Sequence, residues 1–215
     1  MILKQLGVGL GGAVNRQCLN TISLYGEGGA VNRNDPELLA SLERLYVIVN
    51  EYDASCVYNM DETGLFFRLV PRYTVLLPSA DPTTIRGKKK LLDRVTLVVC
   101  CNANGTEKVP ITMIGKAKEP TCIVGNSWPL PYLTQKNAWI DIHTFNKWFD
   151  HVFVPFVRSQ TNCKVPLILD NAPGHAETFE CDVIKVIFFP TNVTSWKQAM
   201  DIGIIAALKK RTNII

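Results

Sequence analysis

The sequence predicts a mixed α/β domain, in which antiparallel strands come first and buried parallel strands follow a helix. Two helical patterns, at residues 36–49 and 142–158, alternate with short strand-like runs. Turn residues separate the early strands, whereas the later apolar runs 165–169 and 184–189 are continuous, which is typical of strands buried on both faces. A length of 215 residues with 47% hydrophobic content suffices for one well-cored domain.

Local signals place the individual elements. Asp35 before Pro36 predicts the start of the first helix, because an aspartate N-cap followed by proline is a common helix beginning. Asp141 is placed to cap the second helix, and Pro155 is expected to kink its last turn. A final helix is predicted at about 198–210. Early strands are predicted at 56–60, 73–77, 95–102 and 109–114.

Composition favours an intracellular protein. The apolar runs are far shorter than the roughly 18 residues needed to span a bilayer, and residues 1–6 lack the apolar core of a signal peptide. The seven cysteines form no CxxC pair and no regular pattern, which suits reduced thiols in the cytosol or nucleus. A net charge of +4 does not by itself indicate nucleic-acid binding. Basic clusters at 86–94, 116–118 and 209–211 would neutralise phosphates if they shared a face.

Three aspartates stand where the predicted fold would bring them together. Asp61 follows the predicted strand 56–60, and Asp170 follows the strand 165–169. Because strand ends of an α/β sheet line up at one edge, we expect these two acids to meet, with Asp201 completing the group from the last helix. Converging carboxylates suit Mg²⁺ or Mn²⁺ and two-metal phosphoryl transfer. Taken singly, each aspartate is also explained as an ordinary turn or cap residue.

Two neighbours are expected to support this group. Asn59 precedes Asp61 by two residues, so it shares a strand face with that acid and can hydrogen-bond to the metal-binding side chains, whereas Glu62 points to the opposite face. His175 follows Asp170 by five residues across a tight turn. It is expected either to orient a metal ligand or contact phosphate, or to be a histidine on a surface turn.

Two other kinds of site match less well. Cys163, His175 and Cys181 do not have the spacing of any zinc site. The glycines at positions 7, 9 and 12 have the GxGxxG spacing of a dinucleotide-binding turn, but residues 1–6 are too short and too polar for the buried strand that such a turn requires.

Four segments resemble, in the same order, the pogo, Tigger and jerky-like group of DDE transposases. They are NMDETGLF at 59–66, RVTLVVCCNANG at 94–105, LDNAPGH at 169–175 and MDIG at 200–203. The resemblance covers about residues 22–211, which leaves 1–21 as an unassigned glycine-rich N-terminus and 212–215 as a truncated C-terminal end. The group usually has Gln-Pro before the Met-Asp pair and a glutamine after it, whereas here Ala199 stands in place of the proline and Ile202 in place of the second glutamine.

The resemblance implies a ribonuclease H-like mixed sheet flanked by helices. It further implies an enzyme that cuts DNA and joins the new 3′ end to target DNA, with Mg²⁺ or Mn²⁺ held by Asp61, Asp170 and Asp201. DNA is the expected partner and the nucleus the expected location, while assembly into a homo-oligomer stays open. Contacts to the DNA backbone are predicted at Lys88, Lys89, Lys90 and Arg94.

Two alternatives stay open. The chain could be a domesticated or fragmentary copy that binds DNA or chromatin without catalysis. A host ribonuclease would share the arrangement of acids but not the quoted motifs.

Overall fold

In the computed structural model, residues 34–67, 93–175, 180–181, 183–190 and 198–211 are described. The strands in these residues form one sheet with the order β4-β3-β2-β1-β5-β7-β6. The strands are β1 (Tyr58–Phe66), β2 (Arg94–Asn102), β3 (Thr112–Gly115), β4 (Tyr132–Thr134), β5 (Val165–Leu169), β6 (Glu180–Cys181) and β7 (Ile184–Phe188).

The sheet is antiparallel in its first half and parallel in its second. β1 pairs with β2, and β2 with β3, in antiparallel fashion. β1, β5 and β7 are parallel neighbours, while β6 closes antiparallel on β7 and β4 runs parallel to β3. The predicted mixed α/β class is confirmed. β4 and β6 escaped prediction because three and two residues are too few to show a pattern.

The helices begin where their caps predict. Helix α1 (Pro36–Asn50) starts after Asp35, whose carboxylate accepts the Glu37 N–H at 3.0 Å. The second helical segment starts after Asp141, whose carboxylate accepts the Thr144 N–H at 2.8 Å. The second segment consists of α2 (Ile142–Trp148), a π-helical segment π1 (Phe149–Phe153) and α3 (Val154–Gln160). The last helical segment consists of π2 (Met200–Ile204) and α4 (Ile205–Arg211).

The second helical segment changes its winding just ahead of Pro155. Proline has no N–H to donate to the preceding turn, and its ring crowds the carbonyl four residues back. The wider turn of π1 directly precedes α3 and accommodates the missing hydrogen bond and the proline ring. The predicted irregularity is therefore present, but it takes the form of a π turn upstream of the proline.

Apolar layers cover both faces of the sheet. On one face, α2, π1 and α3 bury four aromatic side chains against Tyr58 and Met60 of β1: Phe145, Trp148, Phe149 and Phe153. On the other face, α1 packs against Val57, Ile168 and Ile187, and Met200 and Ile205 pack against the β1–β2 pair. Each such buried side chain contributes about 1.5–3 kcal/mol. Within the described ranges, no helix is long and apolar enough to cross a membrane.

The prediction that Asp61 follows the end of a strand is wrong. β1 continues through the polar run Asp-Glu-Thr-Gly to Phe66, because β2 pairs with it as far as Phe66↔Arg94. Only the parallel pairing with β5 stops early, at Asn59↔Ile168. Asp61 therefore lies inside a strand but just beyond the end of its parallel neighbour. The predicted strand at 73–77 and the loop of Lys88, Lys89 and Lys90 lie outside the described residues.

Candidate active site

Asp61 and Asp170 are neighbours at the end of β5. The parallel register joins Tyr58 to Leu167 and Asn59 to Ile168, so continuing it by two residues brings Asp61 beside Asp170. Asp61 is only 7% exposed, whereas Asp170 is half-buried. The two aspartates thus lie side by side at the carboxyl end of β5, as predicted. Only Asp170 follows the end of its strand, however, because Asp61 lies within β1.

Asp201 joins them from the face of the sheet covered by α4. It stands in π2, close enough to Asp61 for the two carboxyl groups to perturb each other's pKa. Single π turns within α-helices occur often at functional sites, because they re-aim one side chain without ending the helix. The three aspartates that the sequence singled out therefore lie near enough to influence one another's ionisation, while their role as a common metal site stays a prediction.

Burial and mutual repulsion raise the pKa of this group. The pKa of Asp61 rises to about 8, mainly because the carboxyl is buried and then because Asp201, Glu62 and Asp170 add negative charge. The N–H of Glu62 donates to the Asp61 carboxyl at 2.8 Å and partly offsets this rise. Burial also raises the pKa of Asp201, and the negative charge of Asp170 adds to that rise. Without a cation, Asp61 is therefore mostly protonated at neutral pH.

Asn59 ties the three acid-bearing segments to one another. Its Nδ2 donates to the Ile168 carbonyl of β5 at 3.0 Å, and its Oδ1 accepts the Met200 N–H at 3.4 Å. The side chain is buried, 6% exposed. It therefore anchors the start of π2, one residue before Asp201, to both strands. The predicted contact with the metal-binding side chains themselves stays a prediction.

Gln198 makes a second anchor that sequence reasoning missed. It is fully buried, and its Nε2 donates to the Met60 carbonyl of β1 at 3.3 Å. Its Oε1 has no partner among the described residues. The available signal was the family pattern, in which a glutamine precedes the Met-Asp pair, but the pattern carried no role for that residue.

His175 is buried, so the surface-turn alternative is wrong. The residue is 3% exposed, and its ring lies 5.3 Å from the Phe145 ring between centroids. Its Nε2 lies 2.8 Å from Glu62 Oε1. Its Nδ1 lies 2.8 Å from Asp170 Oδ1 and 3.1 Å from the Asp170 carbonyl oxygen. Glu62 points away from Asp61, as expected, and its carboxylate contacts His175 on that face of the sheet.

The histidine carries a positive charge in this setting. Burial alone would lower the pKa of His175, but the hydrogen bonds to Asp170 and Glu62 outweigh it and raise the pKa to about 10. An imidazolium therefore lies between two carboxylates at pH 7. Sequence reasoning missed Glu62 because its partner is 113 positions away and local spacing carries no trace of the contact.

Arg94 is engaged in contacts within the protein. Its guanidinium carbon lies 3.9 Å from the centroid of the Trp139 ring, and its Nη2 donates to Thr96 Oγ1 at 3.1 Å. Burial lowers the pKa of this half-buried guanidinium. Its predicted contact with a DNA backbone stays a prediction, as do those of the three lysines at 88–90.

The donor chemistry of the site fits a hard cation, although the ligands are not yet gathered. In the part of the chain that the structure describes, no three His, Cys, Asp or Glu side chains already form a set that would hold a metal ion. The three aspartates are nonetheless oxygen donors whose repulsion a cation would relieve. The structure does not support a zinc site at Cys163, His175 and Cys181, because both ring nitrogens of His175 face carboxylates.

Residues 92–213 match the family model described as DDE superfamily endonuclease. The chain is similar to the human Jerky protein homolog, with 37% identity over 161 residues, 70% of this chain and 28% of that protein. It is 31% identical to mouse Tigger transposable element-derived protein 4 over 176 residues, 81% of this chain and 33% of the relative. CENP-B homolog protein 2 of Schizosaccharomyces pombe shares 28% over 200 residues, 83% of this chain and 35% of that protein.

This chain thus spans about a third of the length of the relatives that it matches. Among solved structures, a Mos1 transposase paired-end complex with left transposon end gives a TM-score of 0.49 at 11% identity, covering 95% of this chain and 54% of that one. The sheet is mixed and covered by helices on both faces, as the sequence predicted. Since the family model matches more than half of the sequence, the chain belongs to the DDE superfamily endonucleases, among relatives of the Jerky and Tigger type.

Proposed function

We propose that this chain is the core of a metal-dependent DNA endonuclease and strand-transfer enzyme, in which Asp61, Asp170 and Asp201 hold the metal ions. The observation that carries the proposal is the crowding of the buried Asp61 carboxyl, which the strand register brings beside Asp170 and to which Asp201 adds a further negative charge. Such crowding destabilises a protein without a cation. Groups perturbed by burial together with specific charged partners occur often at functional sites.

Bound Mg²⁺ or Mn²⁺ would activate a water or hydroxyl and stabilise the leaving oxygen of a phosphodiester. The protein's own part is to present carboxylate oxygens from three segments and to fix their direction. His175 Nδ1 lies 2.8 Å from Asp170 Oδ1 and contacts the Asp170 carbonyl oxygen at 3.1 Å, so the histidine helps to hold Asp170 in place. Asn59 and Gln198 hold the backbone on either side of the Asp61–Asp201 contact.

DNA as the substrate and the nucleus as the location belong to the same proposal. Phosphodiester cleavage is the chemistry that paired hard cations on carboxylates serve in many nucleases and polymerases. Relatives named for a transposable element support DNA rather than RNA as the polymer. The exposed basic end of α4, Lys210 and Arg211, and the cluster at 86–94 would supply contacts to phosphates.

Nicking of a supercoiled plasmid in Mn²⁺ tests the proposal. The parent should nick, and Asn at position 61, 170 or 201 should reduce the rate by on the order of 100-fold or more, since even residues that only support a metal ligand are worth 10–100-fold. Asp150→Asn, at an exposed acid of π1, is the matched control and should nick like the parent. A folded parent that binds DNA but neither nicks nor gains stability with Mn²⁺ would instead support a non-catalytic DNA-binding protein.

A further inference from the structure

We propose that Trp139 and Arg94 form a stacking site for an unpaired DNA base next to the carboxylates. The inference rests on the proposed function in one respect, namely that DNA is the ligand. Trp139 is 56% exposed, which is unusual for so large an apolar side chain. The Arg94 guanidinium covers one part of its ring at 3.9 Å. More than half of the residue's surface thus stays open to solvent.

The backbone that presents Trp139 is held firmly. Ala138, directly before it, is fully buried and has φ +53°, a left-handed conformation that residues with a Cβ rarely adopt. Its N–H donates to the Gln135 carbonyl at 2.8 Å, and its carbonyl accepts the Thr96 hydroxyl at 2.6 Å. The Gln135 side chain in turn accepts the Trp139 N–H at 3.2 Å. Strained conformations persist where the surroundings fix them, and they cluster at functional sites.

The same loop lies against the candidate active site. A Cβ at Gly174 would come within 2.9 Å of the Ile140 carbonyl oxygen, so this backbone packs tightly on the turn that carries His175. The Arg94 guanidinium lies close to Gly64, since a Cβ there would be 3.6 Å away from it. Gly64 is two residues beyond Glu62 on the same strand face, which is about 7 Å along β1. The pair therefore lies beside the Glu62–His175 contact, and it approaches the acids from the side of Asp170, which His175 also contacts.

The chemistry of this pair selects the kind of ligand. An indole face stacks on the π face of any base, and a guanidinium next to it adds attraction to the ring and to phosphate. A base inside a duplex already stacks on its neighbours and offers no face. The site would therefore take a base that is unpaired at a strand end, with little preference for its identity.

Binding to short duplexes in the absence of divalent ions tests this site without any cutting. The probes are a blunt duplex, the same duplex with an unpaired 3′ tail, and the tailed duplex with abasic sites in the tail. The parent should bind the tailed duplex best. Trp139→Ala should weaken that complex by about 5–100-fold, the range found for loss of base stacking, and change the other two by less than about twofold. Trp139→Phe should keep most of the preference.

A fluorescent 2-aminopurine in the tail gives a second measurement. Stacking on Trp139 should quench it in the parent and less in Trp139→Phe, so the test survives if the alanine variant does not fold. Trp128→Phe, a half-buried tryptophan on another loop, is the matched control and should behave like the parent.

Equal weakening of all three duplexes, absence of tail preference in the parent, or absence of quenching would each overturn the stacking site. Failure of nicking or of Mn²⁺ binding would refute only the proposed catalysis. A tail preference that depends on Trp139 would stand in that case, because it is measured without metal.

Discussion

Asp61→Asn is the substitution that separates a metal site from a structural cluster. The amide has the same shape as the carboxyl, can still accept the Glu62 N–H, and cannot ionise. Asp170→Asn is less suitable, because it also removes the negative charge that faces the His175 imidazolium at 2.8 Å. Without metal, we expect Asp61→Asn to stabilise the protein at pH 7, since Asp61 must take up a proton on folding at this pH whereas the amide need not.

The pKa of Asp61 sets the size of the effect. An unfolded aspartate ionises near its ordinary pKa of 3.8, whereas in the folded protein the pKa is about 8. Stability is therefore lost as pH rises from about 4 to about 8, and the loss is complete above that range. At 1.36 kcal/mol per pKa unit, the cost at pH 7 is at most about 4 kcal/mol. In a chain of this size each kcal/mol shifts Tm by about 2–4 °C, so a rise on the order of 10 °C is expected.

Thermal melts of the parent and the variant, recorded at pH 5 and pH 7.5 with and without Mn²⁺, measure this directly. The parent should lose stability between the two pH values without metal and regain it with Mn²⁺. Asp61→Asn should be nearly insensitive to both changes, and Asp150→Asn should follow the parent. A variant less stable than the parent at pH 7.5 without metal, together with no Mn²⁺ effect on the parent, would refute the view that repulsion is stored in these carboxylates.

Three further outcomes follow from other contacts. Glu62→Gln should lower the free energy of unfolding by about 1.5–3 kcal/mol in urea melts at pH 6, where His175 is charged in the folded and the unfolded state, and by little near pH 10. The reason is that the stability from a raised histidine pKa is present below about pH 6.5 and is lost as pH rises to about 10. An equal cost at both pH values would contradict this. Asn59→Leu should destabilise by about 1–3 kcal/mol, since two buried backbone groups lose their partner; a loss below 0.5 kcal/mol in the same melts would exclude an anchoring role. Gly174→Ala should destabilise the protein because the new Cβ would meet the Ile140 carbonyl oxygen, whereas Gly203→Ala, in a helical turn with open space around the Cβ, should stabilise it by up to about 1 kcal/mol. Thermal melts in which both variants shift Tm in the same direction would contradict the tight packing at Gly174.

The elements that the sequence predicted well are those whose cause is local. Asp35 and Asp141 cap helices through contacts with residues two and three positions away, so their pattern is readable without the fold. β5 is a continuous buried apolar run and β7 is apolar except for the exposed Lys185, and such composition favours the parallel pairing that the two strands make. The approach of Asp170 to Asp61 was also predictable in outline, because it depends only on the order of strands in a sheet.

Features set by pairing at a distance were not predictable from local pattern. The run Asp-Glu-Thr-Gly in β1 has the composition of a turn, yet it is extended because β2 pairs with it throughout. Strand propensity depends on such context more than helix propensity does. The π turn that aims Asp201 likewise has no periodic signature, since it adds a single residue to one turn.

The alternation of β1 explains why both faces of the sheet contribute to one site. Asp61 points to the face of α4 and Glu62 to the face of α2, so neighbouring residues serve opposite layers. Asp170 follows the last residue of β5 and is reached from both sides, by His175 from the α2 layer and by the charges of Asp61 and Asp201 from the other. A change at Glu62 therefore reaches the carboxylates in two ways, directly through its charge on Asp61 and indirectly through His175 and Asp170. Under the proposed function, this coupling makes the direction of Asp170, and not only the presence of three acids, a property on which metal binding would depend.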